Sequence, residues 1–300
     1  QWLRGAGMYQ TELKATSNIS SHLVQGQDDD GSGREERVRV SEMSIDMDNQ
    51  GYSAIWLFIA EQCIVERVNA INAGSRDGGS NGGILLRNAF GNDGFDHWII
   101  NCRTENCANV SIDCGAGGTD PARAIVYGNK IYNPNGNQSF THGISVENID
   151  HSTVSNNTII ETDGNKNWFP ALNINAASNT TVSGNTIKNV KSGIFTANGP
   201  GTGNVYANNT IKSFSANGIQ IKTSGAGDVI DNLITGNTID HDGMASDGIV
   251  VSNDCHANIT NNLIRNLGGG IAIFLGSGNV RKLCHIIGNT IKSITDGKII

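Results

Sequence analysis

Apolar residues alternate with small or polar ones at a period of two, in runs too short for helices and returning at near-constant intervals. One run is Gly-Ile-x-(Ile/Val). It reads Ala54-Ile55-Trp56-Leu57-Phe58, Gly83-Ile84-Leu85-Leu86-Arg87, Asn109-Val110-Ser111-Ile112-Asp113 and Gly143-Ile144-Ser145-Val146-Glu147. It continues through Ala171-Leu172-Asn173-Ile174-Asn175, Gly193-Ile194, Gly218-Ile219-Gln220-Ile221-Lys222, Gly248-Ile249 and Gly270-Ile271. A second run is Gly or Asn, then Asn, then Thr-Ile or a substitute. Its central asparagines are Asn129, Asn157, Asn185, Asn209, Asn237, Asn262 and Asn289, spaced by 24 to 28 residues. Such a period without a helix signal means a solenoid of short strands. The phrase weakens upstream but continues at Asn101 and Asn69.

The predicted fold is all-β, a right-handed parallel β-helix of about ten coils at ~4.8 Å each. The repeat spans nearly the whole chain, so residues 1–300 read as one domain. The stacked asparagines are expected to hydrogen-bond along the solenoid, a structural rather than a chemical role.

Side chains alternate between the two faces of a strand, so the second and fourth residues of each Gly-Ile phrase face the core. The third and fifth face outward. Aligning the phrases puts Phe58, Arg87, Asp113, Glu147, Asn175 and Lys222 in one outward column, with Trp56 and Asn173 in the neighbouring one. Asp113 and Glu147 then sit one coil apart, ~5 Å by backbone. Carboxylates that close drive one pKa upward, which makes a general acid and a base or nucleophile from the same chemistry. A short separation suits a retaining glycosidase and a longer one an inverting glycosidase. Arg87 could hold Asp113 ionised. Asn173 and Asn175 could bind sugar hydroxyls, and Trp56, Phe58 and Trp168 could stack sugar rings. His142 and Asp247 stand at the corners before their strands, either as turn residues or as further site groups. The bland alternative is a solvated strand face with a weak Arg87–Asp113 surface pair.

Composition narrows the picture. The chain has 38 Gly, only 4 Pro and 16% charged residues, which suits stacked strands with tight corners. Its net charge of −7 disfavours nucleic acid and anionic membranes as partners, and makes an acidic glycan awkward without a cation. No run approaches the roughly 20 apolar residues of a membrane span. The six cysteines read as buried free thiols, although their even number permits disulfides. Cys255-His256 and Cys284-His285 lack zinc spacing. No cofactor is expected; Asp28, Asp29, Asp30 and Gly31 are oxygen-rich enough for a calcium loop, the alternative to a solvated excursion. The chain begins at Gln1 and ends on what reads as the opening of another coil, so an excerpt of a longer chain with uncapped ends is expected.

With these residues in view, the chain resembles the pectin-lyase-like superfamily of right-handed β-helices. The opening Leu3-Arg4-Gly5-Ala6-Gly7-Met8-Tyr9-Gln10-Thr11-Glu12-Leu13 looks like an early coil of pectate-lyase-type and phage tailspike-type proteins. The polygalacturonase signature set is absent. So is the Asp-Pro-His-Asp signature of mannuronan epimerases, of which Gly94-Phe95-Asp96-His97 is a partial echo. No catalytic residue therefore carries over by motif. The resemblance implies an extracellular protein, secreted or on a virion surface, whose partner is a polysaccharide. Hydrolysis by Asp113 and Glu147 is the leading expectation. A lyase using Lys222, Arg87 or His142 is the alternative. A non-catalytic spike or adhesin shaft, a homotrimer by analogy with spikes, is the alternative of another class.

Overall fold

The computed structural model describes residues 2–15, 22–26, 37–48, 52–58, 62–74, 82–88, 96–116, 123–133, 142–162, 170–197, 201–222, 229–243, 246–252, 255–276 and 284–294. The chain divides into two compact units, residues 1–153 and 154–300. Both are built from parallel strands, with no helix among the described residues. The architecture is a right-handed parallel β-helix.

In the first unit the Gly-Ile strands are Val24–Gly26, Ile55–Phe58, Gly82–Asn88, Val110–Ala116 and His142–Glu147, stacked in that order. In the second they are Leu172–Asn175, Ile194–Ala197, Asn217–Lys222, Asp247–Ser252 and Ile273–Leu275. Each coil also carries strands on either side of the asparagine corner, such as Val205–Ala207 and Thr210–Phe214. The core is the stack of inward β-branched and Leu side chains. Ile55, Leu57, Ile84, Leu86, Ile144 and Val146 fill one side of the first unit, and each is buried. In the second, the corner isoleucines Ile159, Ile187, Ile211, Ile239 and Ile264 are fully buried. Each such side chain contributes about 1.5–3 kcal/mol. Thr196 breaks the apolar pattern, and its hydroxyl is satisfied by the buried Tyr206 Oη at 2.5 Å.

The alignment of phrases is corrected in two coils. Ile112, not Val110, pairs with Ile84 and Ile144, and Cys114 pairs with Leu86 and Val146. Likewise Ile273, not Ile271, pairs with Ile249. Both slips are of two residues, so inward and outward parity survives while the columns shift. The cause in the first case is that Cys114, fully buried, takes the place of a β-branched residue in the core.

From Asn129 onward the asparagine corners behave as expected, but upstream the register puts Cys102 and Val68, not Asn101 and Asn69, at the corner position. In the second unit the backbone N–H of Asn157 donates to Asn185 Oδ1, and the pattern repeats through Asn209, Asn237, Asn262 and Asn289 at 2.9–3.0 Å. Each Nδ2 also donates to the next Oδ1. In the first unit Asn129 accepts from the Cys102 N–H at 2.8 Å. The residue before each corner position sits at φ between 53° and 68° and alternates Asn with Gly: Asn101 (before Cys102), Gly128; Asn156, Gly184, Asn208, Gly236, Asn261, Gly288. A Cβ at Gly236 would lie 2.4 Å from Asn208 Oδ1, so an asparagine in one coil requires a glycine in the next. A second ladder runs through Asn204 and Asn232, which accept from the N–H groups of Thr180 and Asn204.

Candidate functional site

In the first unit the outward columns of the Gly-Ile sheet are now fixed. One runs Gln25, Trp56, Leu85, Asp113, Ser145; the other runs Phe58, Arg87, Gly115, Glu147. Asp113 thus lies opposite Leu85 and Ser145, and does not share a column with Arg87 and Glu147. Gly115 stands between those two. The Arg87 stem crosses over it; a Cβ there would make ordinary van der Waals contact, 3.7 Å from Arg87 Cγ and 3.8 Å from Nε. The guanidinium thereby reaches diagonally to Asp113 Oδ2 and forms an ion pair. The Arg87 side chain is 32% exposed and that of Asp113 is not exposed. Asp113 Oδ1 is buried without a hydrogen-bond partner. Ser145 Oγ donates to Glu147 Oε1 at 3.2 Å. Asp113 and Glu147 are one coil apart and two residues along, roughly 8 Å by backbone instead of ~5 Å.

These groups form one electrostatic unit. Burial pushes Asp113 up to about 6, against the pull of Arg87 and with a contribution from the Glu147 charge. Burial works against the Arg87 charge, but Asp113 and Glu147 hold its pKa above the usual arginine value. An acid whose folded pKa is raised favours the fold at low pH and loses that contribution as pH rises through the folded value. From pH 4 to pH 7 the group is expected to remove about 2 kcal/mol of stability. His22 and His97, each lowered to about 4 chiefly by burial, act in the opposite direction. The contribution is therefore read as a difference: denaturant midpoints of wild type should fall relative to Asp113→Asn between pH 4 and pH 7, whereas parallel curves would contradict it.

The other predicted residues fall in several places. His142 has the parity of Ile144 and Val146 at the start of its strand, opposite Val110, so it does not share the Ser145–Glu147 face. Trp56 is half-buried with its ring edge-on to His22 at 3.8 Å, an anchored platform. Phe58 takes the register position opposite Arg87. In the second unit, Asn173 is buried opposite Phe195, and Asn175 lies opposite Ala197 with a buried, unpartnered Oδ1. Lys222 is exposed opposite Ser252. Asp247 accepts the Ile271 N–H at 2.7 Å, the work of a turn residue. Trp168 and Asp28–Asp30 lie outside the described residues. Asp96 pairs with Arg123 at 2.9 Å while its neighbour His97 is buried, so the partial epimerase echo is split between two faces. Gly115 was missed, although counting Cys114 as apolar in the alternation would have exposed it.

A family model described as periplasmic copper-binding protein (NosD) matches residues 122–298, more than half of the sequence. The chain belongs to this family. No curated protein matches it in sequence. Among solved structures, the periplasmic alginate epimerase AlgG superposes with a TM-score of 0.53 at 12% identity, covering 98% of this chain and 76% of that one. A double mutant of AlgG gives 0.52 at 13% identity over 96% and 76%. The Streptococcus pneumoniae surface protein and adhesin PfbA gives 0.46 at 12% identity over 97% and 84%. At these identities the AlgG likeness is one of fold alone, the parallel β-helix.

The copper in the family description finds no matching donor set among the described residues. No three His, Cys, Asp or Glu side chains converge there. The cysteines are free thiols, buried except for the half-buried Cys284, and burial pushes Cys102 and Cys107 up to about 12. Thiols that hold their protons so firmly are poor ligands.

Proposed function

We propose that this chain is an extracytoplasmic, polysaccharide-acting β-helix whose working face is the Arg87–Asp113–Glu147 surface of its first unit. The observation that carries this reading is the pair of dissimilar carboxylates joined by one arginine. Asp113 is buried, retains its proton to about pH 6 and has an unpartnered oxygen. Glu147 is partly exposed and held by Ser145. In hydrolysis Asp113 is the general acid toward the leaving oxygen, Glu147 the base that activates water, and Arg87 the cation that yields Asp113 to the bound sugar. The diagonal offset of roughly 8 Å suits inversion, because it leaves room for water between the carboxylates. The family description and the periplasmic AlgG neighbour support a location outside the cytoplasm.

The complete burial of Asp113 favours a second reading, in which it serves only to hold Arg87 and the face binds glycan without cleaving it. A panel of neutral and acidic polysaccharides separates the two. New reducing ends indicate hydrolysis, an ultraviolet-absorbing unsaturated product a lyase, and retention without product a binding module. Neither product nor binding on any polymer would reject the proposal.

A further inference from the structure

The second unit carries a charge pattern that its fold does not require. On the strands after the asparagine corners, Lys188 lies opposite Lys212, Lys212 opposite Asp240, Asp240 opposite Arg265, and Arg265 opposite Lys292. These positions face outward, because the preceding Ile187, Ile211, Ile239 and Ile264 fill the core. Lys188, Lys212 and Lys292 are exposed; Lys212 feels the Asp240 charge opposite it, but none of the three closes an ion pair within 4.0 Å among the described residues. Asp240 is already committed, accepting from Arg265 at 2.7 Å and from Asn266 Nδ2 at 2.7 Å. The column therefore holds four cations against one neutralised anion, in a chain whose net charge is −7.

The repeat does not explain it. At the equivalent positions of the first unit the column reads Lys14, Asp46, Ile71, Glu105, Tyr132, with no excess of positive charge. Stacking lysines one coil apart, at ~4.8 Å, is unfavourable through mutual repulsion unless an anion lies against them. Beside the cations runs a row of hydroxyls, Thr186, Thr210 and Thr238, then Leu263 and Thr290.

We propose that this column is a docking track for an acidic polysaccharide, laid along the stacking direction with its anionic groups against Lys188, Lys212, Arg265 and Lys292 and its hydroxyls against the threonines. This rests on the reading above that the ligand is a polysaccharide, and it names the class as acidic. The track removes the sequence-level objection to an acidic glycan, since the charge is locally reversed where the polymer lies. A nucleic acid fits less well: the row is one side chain wide, offers no aromatic ring for base stacking, and belongs to a protein of opposite net charge.

The test is binding of the full chain to polygalacturonate, compared with a neutral β-glucan of matched length and with a single-stranded oligonucleotide, at low and high salt. Polygalacturonate should bind in a salt-sensitive way. The Lys188→Gln/Lys212→Gln variant should weaken it at least tenfold, and Lys130→Gln, at an exposed lysine of the first unit, should leave it unchanged. Unaltered binding by the double variant, equal binding of the neutral glucan, or equal binding of the oligonucleotide would each overturn the proposal. If no polymer is cleaved while the double variant still loses polygalacturonate, the catalytic reading fails and the track stands.

Discussion

Replacing Asn237 by alanine is expected to cost about 3–5 kcal/mol of stability, because each buried partner left unsatisfied costs about 1–3 kcal/mol. Asn237 is fully buried. Its Oδ1 accepts from the Asn209 N–H at 2.9 Å and from Asn209 Nδ2 at 3.0 Å. Its Nδ2 donates to the Tyr206 carbonyl and to Asn262 Oδ1, both at 2.9 Å. Removal therefore strands groups in the coils on both sides. No water can replace them in a closed corner without opening it. Asn289→Ala removes the same kind of ladder contact from a partly exposed position, so water takes over and the cost should be about 1–2 kcal/mol. Denaturant midpoints, with hydrogen exchange at the Asn209 amide, would show the difference. Equal and small losses at both positions would mean that the ladder contributes little.

Arg87→Met is expected to cost about 3–5 kcal/mol at pH 7, since it leaves a buried carboxylate without its partner. Asp113 is fully buried, and its ion pair with Arg87 opposes the desolvation that raises its pKa. Without that guanidinium the carboxyl would move further upward and fold in its neutral form. The penalty should shrink near pH 5, where the proton is already bound. The double variant Arg87→Met/Asp113→Asn should recover most of the loss, because neither charge then remains buried. A cycle measured at pH 5 and pH 7 would test this. Additive losses, with no pH dependence, would show that the pair is not energetically joined.

The fold was legible because it is written in redundant, short-range signals. Seven corner asparagines and nine Gly-Ile phrases specify period, strand faces and core without knowledge of any contact. The site was legible only in part, because it depends on register at a single coil. A fully buried Cys114 displaced the apparent apolar pair by two residues, which moved Asp113 out of the column of Arg87 and Glu147. Parity survived, so Asp113 and Glu147 remained on the outward face, while the geometry between the carboxylates changed from adjacent to diagonal. The full burial of Asp113, at a position whose parity faces outward, had no sequence signal. The cationic column was equally hidden. Lys188, Lys212, Arg265 and Lys292 are single charges in separate repeats, and only the register aligns them.

The central claim is that the Arg87–Asp113–Glu147 face performs the chemistry. Its most direct test is the rate of reducing-end release by Glu147→Gln against wild type on the best substrate of the polysaccharide panel. The substitution keeps size and removes only the charge of a partly exposed group, so folding should be untouched. A loss of at least about 100-fold, with unchanged thermal midpoint and unchanged polymer binding, is the predicted result. Wild-type rates in that variant would contradict the assignment.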